Sequence, residues 1–77
     1  MLYVEFYHLI DEIVDESPGT VTGKSALAEL PGWDSLAVLS FMAMLDEQFQ
    51  RIVSGKEIAA CDTVDDLAKF VADRLSL

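Results

Sequence analysis

Apolar residues recur at helical spacing in three separate stretches of this chain, and this pattern is the strongest constraint on its fold. The first stretch, residues 2–16, has a wide apolar face and an opposite polar side. That polar side consists of Glu5, His8, Glu12 and Asp15. A Ser-Pro-Gly sequence at 17–19 cannot continue a regular helix, so the first helix is predicted to end near Glu16.

The second stretch, residues 35–49, has the clearest helical periodicity. Its apolar stripe consists of Val38, Met42, Leu45 and Phe49, with Phe41 beside it. Of the two methionines, Met42 is predicted to face the core and Met44 the opposite side. A long connection over residues 17–34 precedes this helix, and such loops are uncommon in compact domains unless something anchors them. Leu27 and Leu30 are the predicted anchors.

Helix-start signals mark the remainder of the chain. Ser54 is a predicted cap for a short helix over residues 56–61, and Thr63 opens a capping box that begins a final helix. The apolar face of that last helix is Val64, Leu67, Ala68, Val71 and Leu75. The sequence thus predicts an all-α fold, a small four-helix bundle of three long helices and one short one, with a long loop between helices I and II. Residues 1–77 are predicted to form one domain.

Size and charge restrict the function. A chain of 77 residues has only a modest core, which favours binding or carrying over catalysis. A net charge of −9 at pH 7 repels nucleic-acid phosphates and anionic lipid, so neither nucleic acid nor membrane is an expected partner. The early acidic residues of the chain argue against a signal peptide, and no uncharged run approaches membrane-spanning length. The one cysteine, Cys61, suits a reducing cytoplasm. We expect a cytoplasmic monomer.

Neither a catalytic residue nor a metal site is predicted. His8 lies on the polar side of the first helix without a nearby histidine or cysteine, as expected of a solvated side chain. The tripeptide at 23–25, Gly-Lys-Ser, resembles the end of a phosphate-binding P-loop. The required earlier glycine is missing, because Pro18 stands at its position, and no strand precedes the loop.

The junction between the long loop and the second helix reads Trp33-Asp34-Ser35-Leu36. A serine at such a position is usually only a helix cap, since its oxygen accepts an unpaired backbone amide. If Asp34 provides the cap instead, the hydroxyl of Ser35 remains exposed in the first turn. It is then available for modification.

When this junction is taken together with the order of the helices, the length and the acidity, the whole chain resembles the acyl carrier protein family. The tripeptide Asp34-Ser35-Leu36 is similar to the family's phosphopantetheine attachment motif. The second helix ends in acidic residues followed by a phenylalanine, at 46–49, as is common in this family. The start of the last helix, at 63–67, is also similar to that of the family. The resemblance implies that a phosphopantetheinyl transferase attaches 4′-phosphopantetheine from coenzyme A to Ser35. It further implies that the protein itself is not an enzyme and carries acyl groups for fatty acid or polyketide-type biosynthesis.

The resemblance also implies that partner enzymes, among them acyl-loading and ketosynthase-type enzymes, meet the outer face of helix II. Counted at helical spacing, that face consists of Leu36, Ser40, Ala43, Met44 and Glu47. Leu36 and Met44 are the predicted apolar anchors, beside Glu47. Because this face is nearly neutral where fatty acid carriers are acidic, we expect a specialised pathway.

Two alternatives remain open at this point. One is a peptidyl or aminoacyl carrier, and the other is an unmodified helical interaction module in which Ser35 is an ordinary cap. The family also shields its cargo between the helices. Here the expected lining is Phe6, Ile13, Phe41, Met42, Leu45, Ile58 and Val71.

Overall fold

The computed structural model describes residues 1–77 and contains helices and turns but no strands. Four α-helices follow one another along the chain. They are α1 (Tyr3–Ile13), α2 (Ser35–Phe49), α3 (Gly55–Ala59) and α4 (Val64–Ala68), and α4 continues into a 3-10 helix at Lys69–Arg74. A further 3-10 turn lies at Leu27–Glu29 in the long loop. The predicted all-α four-helix bundle is therefore confirmed, and no helix is long and apolar enough to cross a membrane.

Helix α1 ends at Ile13, three residues earlier than predicted, because the backbone itself closes it. Asp15 adopts a left-handed conformation with φ of 60°. The amide of Glu16 donates to the carbonyl of Asp11 at 2.8 Å, and the amide of Asp15 donates to the carbonyl of Glu12 at 3.2 Å. This pair of bonds is the Schellman arrangement that satisfies carbonyls at a helix end. Pro18 therefore follows a helix that has already ended.

Helix α2 has the predicted bounds, but its buried face is rotated from the predicted stripe. The buried residues are Ala37, Phe41, Met44, Leu45 and Phe49, whereas Val38 and Met42 are only half-buried. Residues 35–45 are apolar almost all round, so periodicity alone leaves the orientation of the helix open. Packing against α1 decides it, with the rings of Phe6 and Phe41 edge-to-face at 6.2 Å.

The predicted caps of the last two helices are present. Ser54 Oγ accepts from the Glu57 amide at 3.2 Å, and Thr63 Oγ1 accepts from the Asp66 amide at 3.3 Å. The fourth helical segment lies where it was predicted. Its second half is a 3-10 helix with a kink at Val71, where φ is −131°.

The long loop is fixed to the rest of the bundle by side chains and by backbone pairing. Leu27 is buried and Leu30 is half-buried against the core, which confirms both anchors. The Leu27 amide donates to the carbonyl of Asp62 at 2.9 Å. The carboxylate of Asp11, which is fully buried, accepts from the amides of Gly19 at 2.9 Å and Val21 at 2.8 Å. These contacts lead the loop across the bundle to the start of α2.

Candidate functional site

The start of α2 is capped by Asp34 and not by Ser35. Asp34 Oδ1 accepts from the amide of Ala37 at 2.9 Å, and the Asp34 carbonyl accepts from the amide of Val38 at 3.0 Å. Ser35 is the first residue of the helix and is exposed. Because the carboxylate performs the capping, the hydroxyl of Ser35 has no structural task there. The geometry expected from the sequence is present.

The loop segment before Ser35 is held against the bundle. The indole of Trp33 packs edge-on against Phe41 with ring centroids 6.0 Å apart, and the Trp33 amide donates to the carbonyl of Leu30 at 3.0 Å. Gly32 lies so close to the backbone of Val14, at the end of α1, that a side chain there would collide with the Val14 carbonyl. These contacts fix the direction from which the chain enters α2.

Backbone amides at this helix end are available to an anion. The amides of Ser35 and Leu36 precede the first intrahelical hydrogen bond of α2, which begins at Val38. They lie at the positive end of a helix of 15 residues. A phosphate attached to the Ser35 hydroxyl would lie close to both amides, so these residues fit a phosphodiester-linked group.

The protein is a small helical bundle with an exposed serine at the start of its longest helix. Comparison with known proteins identifies the class to which it belongs. A family model described as "Phosphopantetheine attachment site" matches residues 9–71. The chain therefore belongs to the phosphopantetheine-binding carrier family, as its resemblance to acyl carrier proteins predicted. A search of curated proteins and a search of solved structures each found no match.

Membership of this family defines the cofactor and the general role. Its members bear a covalently attached 4′-phosphopantetheine group and are carriers, not enzymes themselves. Phosphopantetheinyl transferases modify them, and biosynthetic enzymes interact with them. This chain is thus a phosphopantetheine-dependent carrier protein, and an unmodified interaction module is no longer an alternative.

The outer face of α2 differs from the prediction at one anchor. Leu36 is 71% exposed, as expected, but Met44 is only 9% exposed and belongs to the core. The prediction for Met44 was wrong because the 37–41–44 side of α2 faces the core. Leu39 is 61% exposed and was missed. The available signal was its position, one turn beyond Ser35 and opposite Phe41.

Exposed Leu36 and Leu39 lie beside Ser35 on α2. Leu39 is four residues after Ser35 and three after Leu36, so the three side chains are neighbours on the helix surface. Ala43 extends the apolar strip by one further turn, and Glu47 is exposed near the end of the helix. These exposed apolar side chains therefore form a strip that runs along α2 from Ser35.

The remaining candidate residues take no part in this site. His8 and Lys24 are exposed, and no cluster of His, Cys, Asp or Glu could hold a metal ion. Cys61 is half-buried, its Sγ lies 3.6 Å from the carbonyl of Glu57, and burial raises the pKa of the thiol. A raised pKa disfavours the thiolate, so nothing activates Cys61 as a nucleophile.

The lining expected for a chain between the helices is packed without a cavity. Phe6, Phe41 and Ile58 are completely buried and belong to one core cluster, while Ile13 and Met42 are half-buried at its edge. The one recess of the protein lies elsewhere, between α1 and the last helical segment.

Proposed function

We propose that this protein is an acyl carrier protein in which Ser35 is the phosphopantetheine attachment site, with residues 1–77 forming one carrier domain. The main support for the proposal is that Asp34, and not Ser35, caps the start of α2. Asp34 caps the helix, and the exposed hydroxyl of Ser35 lies beside two free amides. Asp34 and Leu36 flank the hydroxyl and would contact the transferase with it.

Attachment requires a transferase and coenzyme A. The hydroxyl oxygen of Ser35 forms a bond to phosphorus, the diphosphate bond of coenzyme A breaks, and the nucleotide portion leaves. The hydroxyl proton passes to a base on the transferase. Once attached, the arm supplies a terminal thiol that bears acyl groups as thioesters. The contribution of this chain is to hold the phosphodiester at the helix start and to present the arm to successive enzymes.

Intact-mass measurement after incubation with coenzyme A and a promiscuous phosphopantetheinyl transferase tests the attachment site. The wild-type protein should gain one phosphopantetheine, and Ser35→Ala should gain none. Ser40→Ala is the matched control, because Ser40 is also an exposed serine of α2, and it should be modified normally. A Ser35→Ala protein that still gains the arm would refute the proposal.

The surface around Ser35 supports a specialised pathway, such as polyketide or modified-lipid assembly, over bulk fatty acid synthesis. No acidic residue lies between Ser35 and Leu45, and the exposed strip there is Leu36, Leu39 and Ala43. Acids occur only at Asp34 and near the end of α2, at Asp46 and Glu47. Apolar contacts at a small interface contribute more to affinity than rim charges, which mainly set association rates.

Elongation of acyl groups on the holo protein by a general fatty acid synthase ketosynthase, measured across a salt series, tests this assignment. We expect slow turnover that changes little with salt, because screening weakens only charge contacts. Turnover as fast and as salt-sensitive as with a standard fatty acid carrier would refute the specialised pathway. Loading by an amino-acid-adenylating enzyme in preference to acyl donors would instead identify a peptidyl carrier.

A further inference from the structure

The one recess of the protein is an open groove of about 650 Å³ between the start of α1 and the last helical segment. Its two walls run antiparallel, because Leu2 pairs with Ser76 while Tyr7, further along α1, meets Asp65 at the start of α4. Apolar surface of this kind gains free energy when an apolar group covers it. The apolar lining includes Leu2, Val4, Ala68 and Ala72.

Contacts at both ends of the groove fix its width. At one end the amide of Tyr3 donates to the carbonyl of Ser76 at 2.8 Å. At the other end the hydroxyl of Tyr7 donates to Asp65 Oδ1 at 2.8 Å, and the Asp65 amide donates to the carbonyl of Gly23 at 2.9 Å. A binding surface that is already formed loses less conformational entropy on association than a flexible one. The groove is therefore suited to bind another segment without rearrangement.

The spacing of the lining residues fits a helix as the bound segment. The last helical segment lines the groove with residues 65, 68, 69 and 72, which cover about two turns, or roughly 10 Å at ~1.5 Å per residue. Amphipathic helices bind such grooves through apolar anchors repeated at helical spacing. An added strand would find no sheet edge, because the pairing of Leu2 with Ser76 is an isolated bridge.

The two segments that form the groove hold most of the acidic residues of the chain. Residues 1–16 and 62–77 contain nine of the fourteen acids but only two of the five lysines and arginines. Helix α1 has no lysine or arginine, and its Glu5 is exposed. Lys69, which lines the groove, is already paired with Asp66 at 3.2 Å. The surroundings of the groove therefore attract basic side chains.

A second copy of this chain does not offer a basic helix of the required length. Neither α1 nor α2 contains a lysine or arginine, and α3 has only five residues. The last helical segment is itself a wall of the groove. A copy would also bring a net charge of −9 against the same charge. The occupant that fits is therefore a segment of another protein.

We infer that the groove binds a basic amphipathic helix of a partner protein, with the apolar side of that helix against Val4 and Ala72 and its basic side chains beside the acids of α1. This surface is separate from the apolar strip of α2, since Ser35, Leu36 and Leu39 do not line the groove. A partner bound there leaves Ser35 free to meet the transferase or another enzyme. The inference goes beyond the proposed function and does not require that Ser35 bear a group.

Titration of the unmodified protein with a helical peptide of leucine and lysine, whose leucines lie on one side, tests the inference through backbone amide chemical shifts. The largest changes should occur at Val4, Tyr7 and Ala72. The dissociation constant should rise with salt, because screening weakens charge contacts. A peptide with glutamate in place of lysine is the matched probe, and it should bind on the order of tenfold more weakly, since like charges then face each other.

Two pairs of variants separate the apolar from the charged contribution. Ala72→Arg places a large cation in the groove and should weaken binding of the lysine peptide on the order of tenfold. Ala60→Arg adds the same charge at an exposed alanine outside the groove and should change binding little. Glu5→Gln should weaken binding about two- to fivefold, and it keeps an acceptor for the Leu2 amide. Its control is Glu29→Gln, at an exposed acid of the long loop, and thermal melts check that all four variants fold.

Several outcomes would overturn the inference. Changes concentrated at Leu36 and Leu39 would place the peptide on α2, and the absence of any change would show that the groove binds no basic helix. Equal affinities of Ala72→Arg and Ala60→Arg, or of the two peptides, would show that the groove or the charge plays no part. Groove changes that depend on protein concentration in the absence of peptide would identify a second copy as the occupant.

Modification of Ser35 in the presence of the peptide gives a second readout. The peptide-saturated protein, incubated with coenzyme A and the transferase, should gain the arm at the rate of the free protein. Modification that slows in proportion to peptide occupancy would mean that the peptide covers the start of α2, which contradicts the inference. If the free protein gains no arm, the proposed function has failed, while the titration still decides whether the groove binds a basic helix.

Discussion

Gly32 lies directly against the backbone carbonyl of Val14, so the loop before Ser35 rests on the end of α1. A Cβ at position 32 would collide with the carbonyl, and backbone cannot rotate away as a flexible side chain can. The position of Ser35 is thus linked to the end of α1. Gly32 and Val14 are in steric contact and do not form a hydrogen bond with each other.

The first prediction concerns this contact. Gly32→Ala should lower the free energy of unfolding by about 1–3 kcal/mol, because the added methyl group overpacks the loop against α1. Urea denaturation measures the change. Gly55→Ala is the matched control, since nothing lies within 4 Å of a Cβ at the first position of α3. That variant should be neutral or more stable, because alanine favours a helix over glycine. Equal effects at both positions would contradict the steric explanation.

The second prediction concerns the buried carboxylate of Asp11. Asp11→Asn should destabilise the protein by about 1–3 kcal/mol. The carboxylate accepts one backbone amide at each of its two oxygens, whereas an asparagine side chain has only one acceptor oxygen. Hydrogen exchange at Gly19 and Val21 should accelerate more than exchange in α2. Glu12→Gln, at the neighbouring exposed acid, should change neither quantity. Unchanged exchange at Gly19 and Val21 in Asp11→Asn would show that the carboxylate does not hold the loop.

The third prediction concerns the apolar strip beside Ser35. Leu39→Glu should lower kcat/KM for phosphopantetheine transfer on the order of tenfold, which corresponds to ~1.4 kcal/mol, because a charge replaces an apolar anchor. Ile52→Glu introduces the same charge at an isoleucine that is 89% exposed but lies outside α2. That control should be modified at the wild-type rate. If both variants slow transfer equally, added charge and not the loss of Leu39 is responsible. Thermal melts check that both variants fold.

The fourth prediction concerns stability in acid. Hydrogen bonds from the backbone amides of Asp62 and Thr63, and then the nearby Lys69 ammonium, lower the pKa of Asp66 to about 2. A carboxyl group whose pKa is lower in the folded protein stabilises it above the ordinary Asp pKa. That stability is lost as the pH falls from about 4 to about 2.

Melting temperature measured across this pH range tests the prediction. Asp66→Asn should melt lower than wild type at neutral pH and lose less stability between pH 4 and pH 2. Asp62→Asn is the control, because it keeps the backbone amide that Asp66 accepts. Its melting temperature should fall with pH as in wild type. An Asp66→Asn protein with the wild-type slope would mean that another group controls the acid transition.

Local sequence chemistry determined where the helices start and which residue caps α2. The bounds of α2, the caps Ser54 and Thr63, and the exposure of Ser35 follow from side chains that bond to backbone within a few residues. Such bonds depend on neighbours in sequence, so a pattern of residues is enough to predict them. The resemblance to the carrier family rests on the same short segments.

Tertiary structure alone decided how α2 is turned and how the loop is held. Because α2 is apolar on nearly every side, its periodicity fits more than one orientation. Packing in the core buries Met44 and leaves Leu39 exposed. The early end of α1 and the role of Asp11 depend on a left-handed residue at position 15 and on amides that lie several residues away in the loop. The groove depends on how α1 and the last helical segment come together, a packing of distant segments that no local pattern encodes.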